Sequence, residues 1–270
     1  EGPPGVGKTE LANTAALYFK KDMIRLQCYE GLDESKALYE WRYGKQLLYT
    51  QILKEQMQEV LEGAKGLKES LDRLMKFEDI FFSEDFLETR PLLEALTSEK
   101  GSVLLIDEVD KSDEEFEALL LEILSEFQIS IPELGVRKAD IKPLVVLTSN
   151  NSREIGDALK RRCLHLYIPF PDAKLERQIV QARVPEISES MQIQLVNFVQ
   201  GIRELDLKKL PAISETIDWA KTVILLNSEE LDAKLAEETL NVLLKHQQDI
   251  EVVKKEIPAL VSSATETSDG

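Results

Sequence analysis

The chain has 270 residues, enough for one large domain or two smaller ones, each with its own core. Its formal net charge of −17 argues against nucleic acid as the main partner, because a protein that grips phosphates by charge needs a basic face. No apolar run approaches the ~18 residues of a membrane span, and two scattered cysteines (Cys28, Cys163) and two isolated histidines (His165, His246) leave neither a disulfide framework nor a metal site, so the expected location is cytoplasmic.

The chain opens on Glu1-Gly-Pro-Pro-Gly-Val-Gly-Lys-Thr9. The pattern G-x-x-x-x-G-K-[ST] is met by Gly2, Gly7, Lys8 and Thr9. Glycines let backbone N–H groups curl around phosphates, the lysine reaches the β- and γ-phosphates, and the threonine hydroxyl holds Mg²⁺. The segment Gly2, Pro3, Pro4, Gly5, Val6, Gly7, Lys8, Thr9 and Glu10 is therefore expected to bind a nucleoside triphosphate, ATP, with Thr9 on the Mg²⁺. Residues 10–20 carry Leu11, Ala12, Ala15, Ala16 and Phe19 at helical spacing, which points a helix N-terminus at the same anion. Such a loop normally follows a β-strand. With no residue before Glu1 to form one and no initiator Met, the sequence reads as a fragment lacking its first strand.

Further along, strands are expected over 23–27, 102–106, 144–148 and 164–168. Between them lie a helical stripe over 34–62 (Ala37, Trp41, Leu48, Ile52, Val60) and a helix over 84–96, interrupted early by Pro91. Ser112 and Glu115 form a capping box ahead of a helix over 116–127, and a small hairpin follows over 127–135. The cluster Tyr39-Glu-Trp41-Arg-Tyr43 reads either as a substrate-contacting insert or as core on a helix face. This alternation means an α/β fold with a mostly parallel sheet. After Pro169-Phe170-Pro171 only helices follow, over 172–183, 188–204, 211–227 and 231–255. The expected layout is an α/β nucleotide-binding domain over 1–170, a helical lid over 171–258 and a disordered tail over 259–270.

Val103-Leu-Leu-Ile106 runs straight into Asp107 and Glu108, as a strand buried on both faces does when it delivers carboxylates to the sheet's carboxyl edge. Asp107 is expected to hold the Mg²⁺ and Glu108 to act as general base toward the attacking water. Asn150, at the tip of the next strand, offers an amide to the γ-phosphate or the water, unless Asn150-Asn151 is simply a turn. Arg161 and Arg162 close a short helix, either as partners of its dipole or as a finger toward a nucleotide on a neighbouring subunit, with Arg162 preferred.

In this order the parts resemble an AAA+ ATPase, and more closely the MoxR family. GPPGVGKTELA resembles that family's Walker A segment, VLLIDEVD its Walker B, TSNNSRE its sensor 1, and DALKRRCLHLYIPFP its arginine-finger helix and strand. RLQCYEGLDESKALYEW, EDFLETRPLLEAL and EEFEALLLEILSEFQISIPELG resemble the CoxD-like branch associated with carbon monoxide dehydrogenase maturation. The resemblance implies a five-stranded P-loop domain of strand order 5-1-4-3-2 with an all-α lid. It also implies a homo-oligomeric ring, usually a hexamer, with the site at subunit interfaces. The implied work is ATP hydrolysis by a chaperone-like remodeller or maturation factor, with a von Willebrand factor A-domain partner and a client protein. The alternative is an AAA+ ATPase of nucleic-acid metabolism, similar to a clamp loader or helicase loader. One departure stands out: where a sensor 2 arginine is expected, the chain reads Lys208-Lys209-Leu210-Pro211-Ala212-Ile213-Ser214-Glu215, and a lysine lacks the bidentate fork.

Overall fold

The computed structural model describes residues 1–52, 83–132, 134–228 and 230–266. They fall into two compact units: Thr9–Leu166, and Glu1–Lys8 together with the chain from Tyr167 onward.

The first unit contains α1 (Lys8–Phe19), whose opening residue belongs to the other unit, then β1 (Asp22–Gln27), α2 (Glu34–Ala37), β2 (Tyr39–Trp41) and α3 (Tyr43–Ile52). After a 3₁₀ turn, Glu84–Phe86, come β3 (Leu87–Thr89), α4 (Pro91–Thr97) and β4 (Ser102–Asp107). The turn Val109–Lys111 leads to α5 (Glu114–Glu126), β5 (Gln128–Ile131), β6 (Gly135–Lys138), β7 (Leu144–Leu147) and α6 (Asp157–Lys160). Strands β1, β4 and β7 form a parallel sheet in that order. Its register runs Asp22↔Ser102 to Gln27↔Asp107 on one side of β4, and Val103↔Leu144 to Ile106↔Leu147 on the other. Every residue of β4 is buried. Side chains alternate across a strand, so Leu104 and Ile106 join Leu26, Leu92, Leu93, Phe116 and Leu120 on one face. Val103 and Leu105 join Ala12 and Ala16 of α1 on the other. Helices on both faces are what a parallel sheet requires.

Several expected elements differ in the structure. The helical stripe over 34–62 is interrupted among the described residues: α2 ends at Ala37, and helix resumes only as α3, which carries Leu48 and Ile52. Tyr39–Trp41 instead pairs antiparallel with Leu87–Thr89 (Tyr39↔Thr89, Trp41↔Leu87), as β-favouring aromatics do when a partner strand is available. Leu38 and Trp41 are thereby core, and Val60 lies outside the described residues. Pro91 does not interrupt a helix over 84–96 but opens α4, where a missing N–H costs nothing. The Ser112–Glu115 capping box does not form. Ser112 Oγ donates to Val109 O at 2.7 Å, and Asp113 caps α5 by accepting from Phe116 N at 2.8 Å. The hairpin is present as β5–β6, with Ile129 and Ile131 buried. Residues 164–168 form no strand. Among the described residues β7 pairs only with β4, so this segment has no ladder to join; Leu164 is fully exposed, and Ile168 N makes one bond to Glu1 O at 2.8 Å. The described sheet thus has three strands rather than five.

The second unit carries α7 (Ala173–Arg183), α8 (Glu189–Arg203), α9 (Ile213–Leu225), α10 (Ala233–Leu243) and α11 (Gln247–Glu266) around Val180, Leu195, Phe198, Trp219, Leu240 and Val253. Trp219 packs on Phe198 with centroids 5.2 Å apart and donates to Thr239 Oγ1 at 2.7 Å. The helix expected over 231–255 is two helices. Leu244 is extended (ψ 135°), and Asp232 caps α10 by accepting from Leu235 N at 2.7 Å. Helix α11 also runs past residue 259, where the sequence suggested a disordered tail, because Ile257, Leu260, Val261 and Ala264 continue its apolar stripe onto the lid core.

Candidate functional site

The loop Glu1–Lys8 is shaped by its glycines. Gly5 has φ +74°, and a Cβ there would come within 2.5 Å of Ala212 Cβ, so a side chain is excluded by both conformation and space. Gly7 (φ +97°) differs: a Cβ there would meet nothing within 4 Å, so the backbone faces open space just where α1 begins. Lys8 is buried and reaches back across the loop, donating to Gly2 O and Pro3 O at 2.7 Å each. Val6 is buried, Thr9 half-buried, and Pro4 and Glu10 exposed. An ammonium, a helix N-terminus and unobstructed backbone next to Gly7 suit a polyphosphate.

In the other unit the sheet register brings the carboxyl ends of three strands together. Asp107 closes β4 and is opposite Gln27 of β1. Its Oδ2 accepts from Arg25 Nη2 and its Oδ1 from Thr148 Oγ1, both at 2.5 Å. Glu108 leaves the strand in the left-handed region (φ 56°, ψ 48°), which carries its side chain along the sheet edge. There Oε2 accepts from Gln27 Nε2 at 3.0 Å and pairs with Lys111, and Oε1 accepts from Asn150 Nδ2 at 3.3 Å. Thr148, which the sequence did not single out, joins the two acids: Glu108 N donates to its Oγ1 at 2.9 Å and Val109 N to its O at 2.9 Å. The acidic field is visible in its neighbours. Burial, then Asp107, Asp110 and Glu108, pushes the Cys28 thiol up to about 12, and Glu108 raises the Lys111 ammonium. Asn151 (φ 58°) makes the turn after Asn150.

Hard oxygen donors suit Mg²⁺, and Thr9 and Asp107 supply a hydroxyl and a carboxylate within one unit. Among the described residues no cluster of three or more His, Cys, Asp or Glu groups forms a metal site by itself. A cation held by one or two protein oxygens plus substrate phosphates fits that donor set.

The model of the AAA domain, dynein-related subfamily, matches residues 1–163 of the sequence. The chain belongs to this family. Its P-loop, parallel sheet and helical C-terminal region are those of an AAA+ ATPase domain. No curated protein matches it by sequence. Two solved structures of RuvB variants from Thermotoga maritima resemble it in fold. One is 17% identical with TM-score 0.50, covering 97% of this chain and 72% of its own. The other is 18% identical with TM-score 0.47, covering 90% of this chain and 60% of its own. The chain thus spans about three-fifths of the length of the latter.

Other residues that the sequence of this AAA+ domain singles out make local contacts of their own. Arg161 and Arg162 follow the single turn α6 and are exposed; Arg162 N bonds to Leu159 O at 3.0 Å and its Nη1 to Ala158 O at 3.3 Å. Lys208 and Lys209 are exposed, and it is their backbone N–H groups that are bound, by Asp249 Oδ1 at 2.9 Å and Oδ2 at 3.2 Å. The arginine that the lid does bury is Arg203. It grips Glu176 bidentately at 2.6 and 2.8 Å, donates to Pro211 O at 2.8 Å and lies 4.8 Å from the centroid of Phe170. Nothing in the linear order announces this pair; a carboxylate and a guanidinium on inward helix faces are its sole trace.

Proposed function

We propose that this AAA+ domain binds ATP with Mg²⁺ and hydrolyses it, in a cytoplasmic homo-oligomeric ring of MoxR type, as a chaperone-like remodeller or maturation factor for partner proteins. The observation that carries the reading is the acidic edge: a buried strand ends in Asp107, and Glu108 is held there by Gln27, Asn150 and Lys111. Lys8 and the backbone of Gly2–Glu10 bind the phosphates. Thr9 and Asp107 hold Mg²⁺, which when bound neutralises phosphate charge. Glu108 takes the proton of the attacking water as its oxygen adds to the γ-phosphorus and the bond to ADP breaks. Asn150 orients that water or the γ-phosphate. Arg162, or Arg161 in its place, offers its charge to the nucleotide of a neighbouring subunit, consistent with its exposure.

A hexamer, a von Willebrand factor A-domain partner and a client enzyme, such as carbon monoxide dehydrogenase, follow from the MoxR resemblance. The net charge of −17 counts against a role in nucleic-acid metabolism. The test is to mix two inactive chains, Arg162→Ala and Lys8→Ala. Interfaces that pair an intact loop with an intact finger should hydrolyse ATP although neither chain does so alone. A silent mixture with proven co-assembly contradicts a finger acting between subunits.

A further inference from the structure

Asp110 is the third carboxylate of the Asp107–Asp110 run, and none of the roles above uses it. It is buried (3% exposed), and both oxygens are taken by the loop that follows β7. Oδ1 accepts from Asn150 N at 3.2 Å; Oδ2 accepts from Ser152 N at 2.9 Å and from Ser152 Oγ at 2.5 Å. Burial pushes this carboxyl up, but the bonds from Ser152 and Asn150 outweigh it and hold the group below its ordinary value. One carboxylate thus grips the loop on either side of the left-handed turn at Asn151. From that loop Asn150 Nδ2 reaches Glu108 Oε1. Asp107 differs: its partners are a guanidinium and a hydroxyl, not backbone N–H groups.

We propose that Asp110 is a positioning residue for ATP hydrolysis, holding residues 149–152 so that the Asn150 amide stays on Glu108. The inference rests on Glu108 and Asn150 acting as described under Proposed function. All three of these donors to Asp110 belong to residues 150 and 152, so the carboxylate serves this one loop. A rigid loop keeps the amide in one orientation, which is what precise placement of a water requires.

The experiment is a double-mutant cycle in the full chain on Asp110→Asn and Asn150→Ala, reading steady-state kcat, the Kd of a fluorescent ATP analogue and amide hydrogen exchange at 150 and 152. An asparagine at 110 keeps one acceptor but turns an NH₂ toward one of the two backbone donors. Asp110→Asn should lower kcat by about 10-fold, the weight of one or two buried hydrogen bonds to a charge, and leave Kd within about twofold. Amides 150 and 152 should lose protection. In the Asn150→Ala background the same substitution should change kcat by less than about twofold. Equal losses in both backgrounds, or an unchanged kcat in the Asp110→Asn chain, overturn the proposal. An unchanged kcat in Asn150→Ala overturns the reading beneath it. Should Asp110→Asn not fold, Ser152→Ala, which removes only the hydroxyl bond, carries the same cycle: a loss of about threefold that vanishes without the Asn150 amide supports the proposal, and one that persists refutes it.

Discussion

Replacing Glu108 by glutamine leaves nucleotide binding intact and lowers ATP turnover by about 100- to 10,000-fold, the range expected for loss of a positioned general base. Glutamine has the shape of glutamate and still offers Oε1 to Asn150 Nδ2, so the network at the sheet edge survives in outline. What it lacks is the basic oxygen that, in the proposed reaction, accepts the water's proton. Lys111 loses its charge partner, an exposed pair whose contribution to stability is small. Phosphate release and equilibrium binding of a fluorescent ATP analogue measure the two halves of the expectation. Turnover within a few-fold of the unmodified chain would place the base elsewhere.

The largest expected effect on stability lies in the lid. Glu176 is fully buried and Arg203 has 6% of its side chain exposed. Arg203→Met leaves the carboxylate with Thr216 Oγ1 and Gln200 Nε2 as neutral donors. Breaking a buried pair on one side costs about 3–5 kcal/mol, because the remaining charge stays desolvated without its counter-charge. The double replacement Glu176→Leu with Arg203→Met should recover most of that loss, since two apolar groups bury no charge. The two tryptophans make the measurement selective: Trp41 lies in the first unit and Trp219 in the lid core. Urea unfolding followed by Trp219 fluorescence in a Trp41→Phe background reports the lid transition. A single replacement that costs under about 1 kcal/mol, the scale of an exposed pair, would show that the bridge is not what secures the base of the lid.

What could be read from sequence was what depends on local pattern. Val103–Ile106 is apolar without interruption because both faces of β4 are covered, and this places Asp107 and Glu108 at its end. The phosphate loop is legible because its backbone conformations demand glycine at fixed positions. What escaped was set by partners distant in the chain. Tyr39–Trp41 lies on a stripe with helical spacing, yet it becomes a strand because Leu87–Thr89 lies beside it. Residues 164–168 alternate as a strand should, but a strand exists only by pairing, and none of the described residues pairs with them in a ladder. Thr148, Asp110, Glu176 and Arg203 are ordinary polar residues in the linear text; only burial beside a complementary group gives them work. The Ser112–Glu115 pattern failed for a related reason, since the Ser112 hydroxyl already serves the preceding turn.

The claim that Gly2–Glu10 holds the triphosphate underlies every role assigned above, and calorimetric titration of ATP·Mg²⁺ into the full chain and into its Lys8→Ala form tests it most directly. Lys8 crosses the loop from Gly2 O and Pro3 O, and its ammonium is the charge closest in sequence to the helix N-terminus of α1. Its removal should weaken binding by about 10- to 150-fold, the equivalent of a charged hydrogen bond of about 1.5–3 kcal/mol. Undiminished affinity in the Lys8→Ala chain would contradict the account, because the phosphates would then be held somewhere other than this loop.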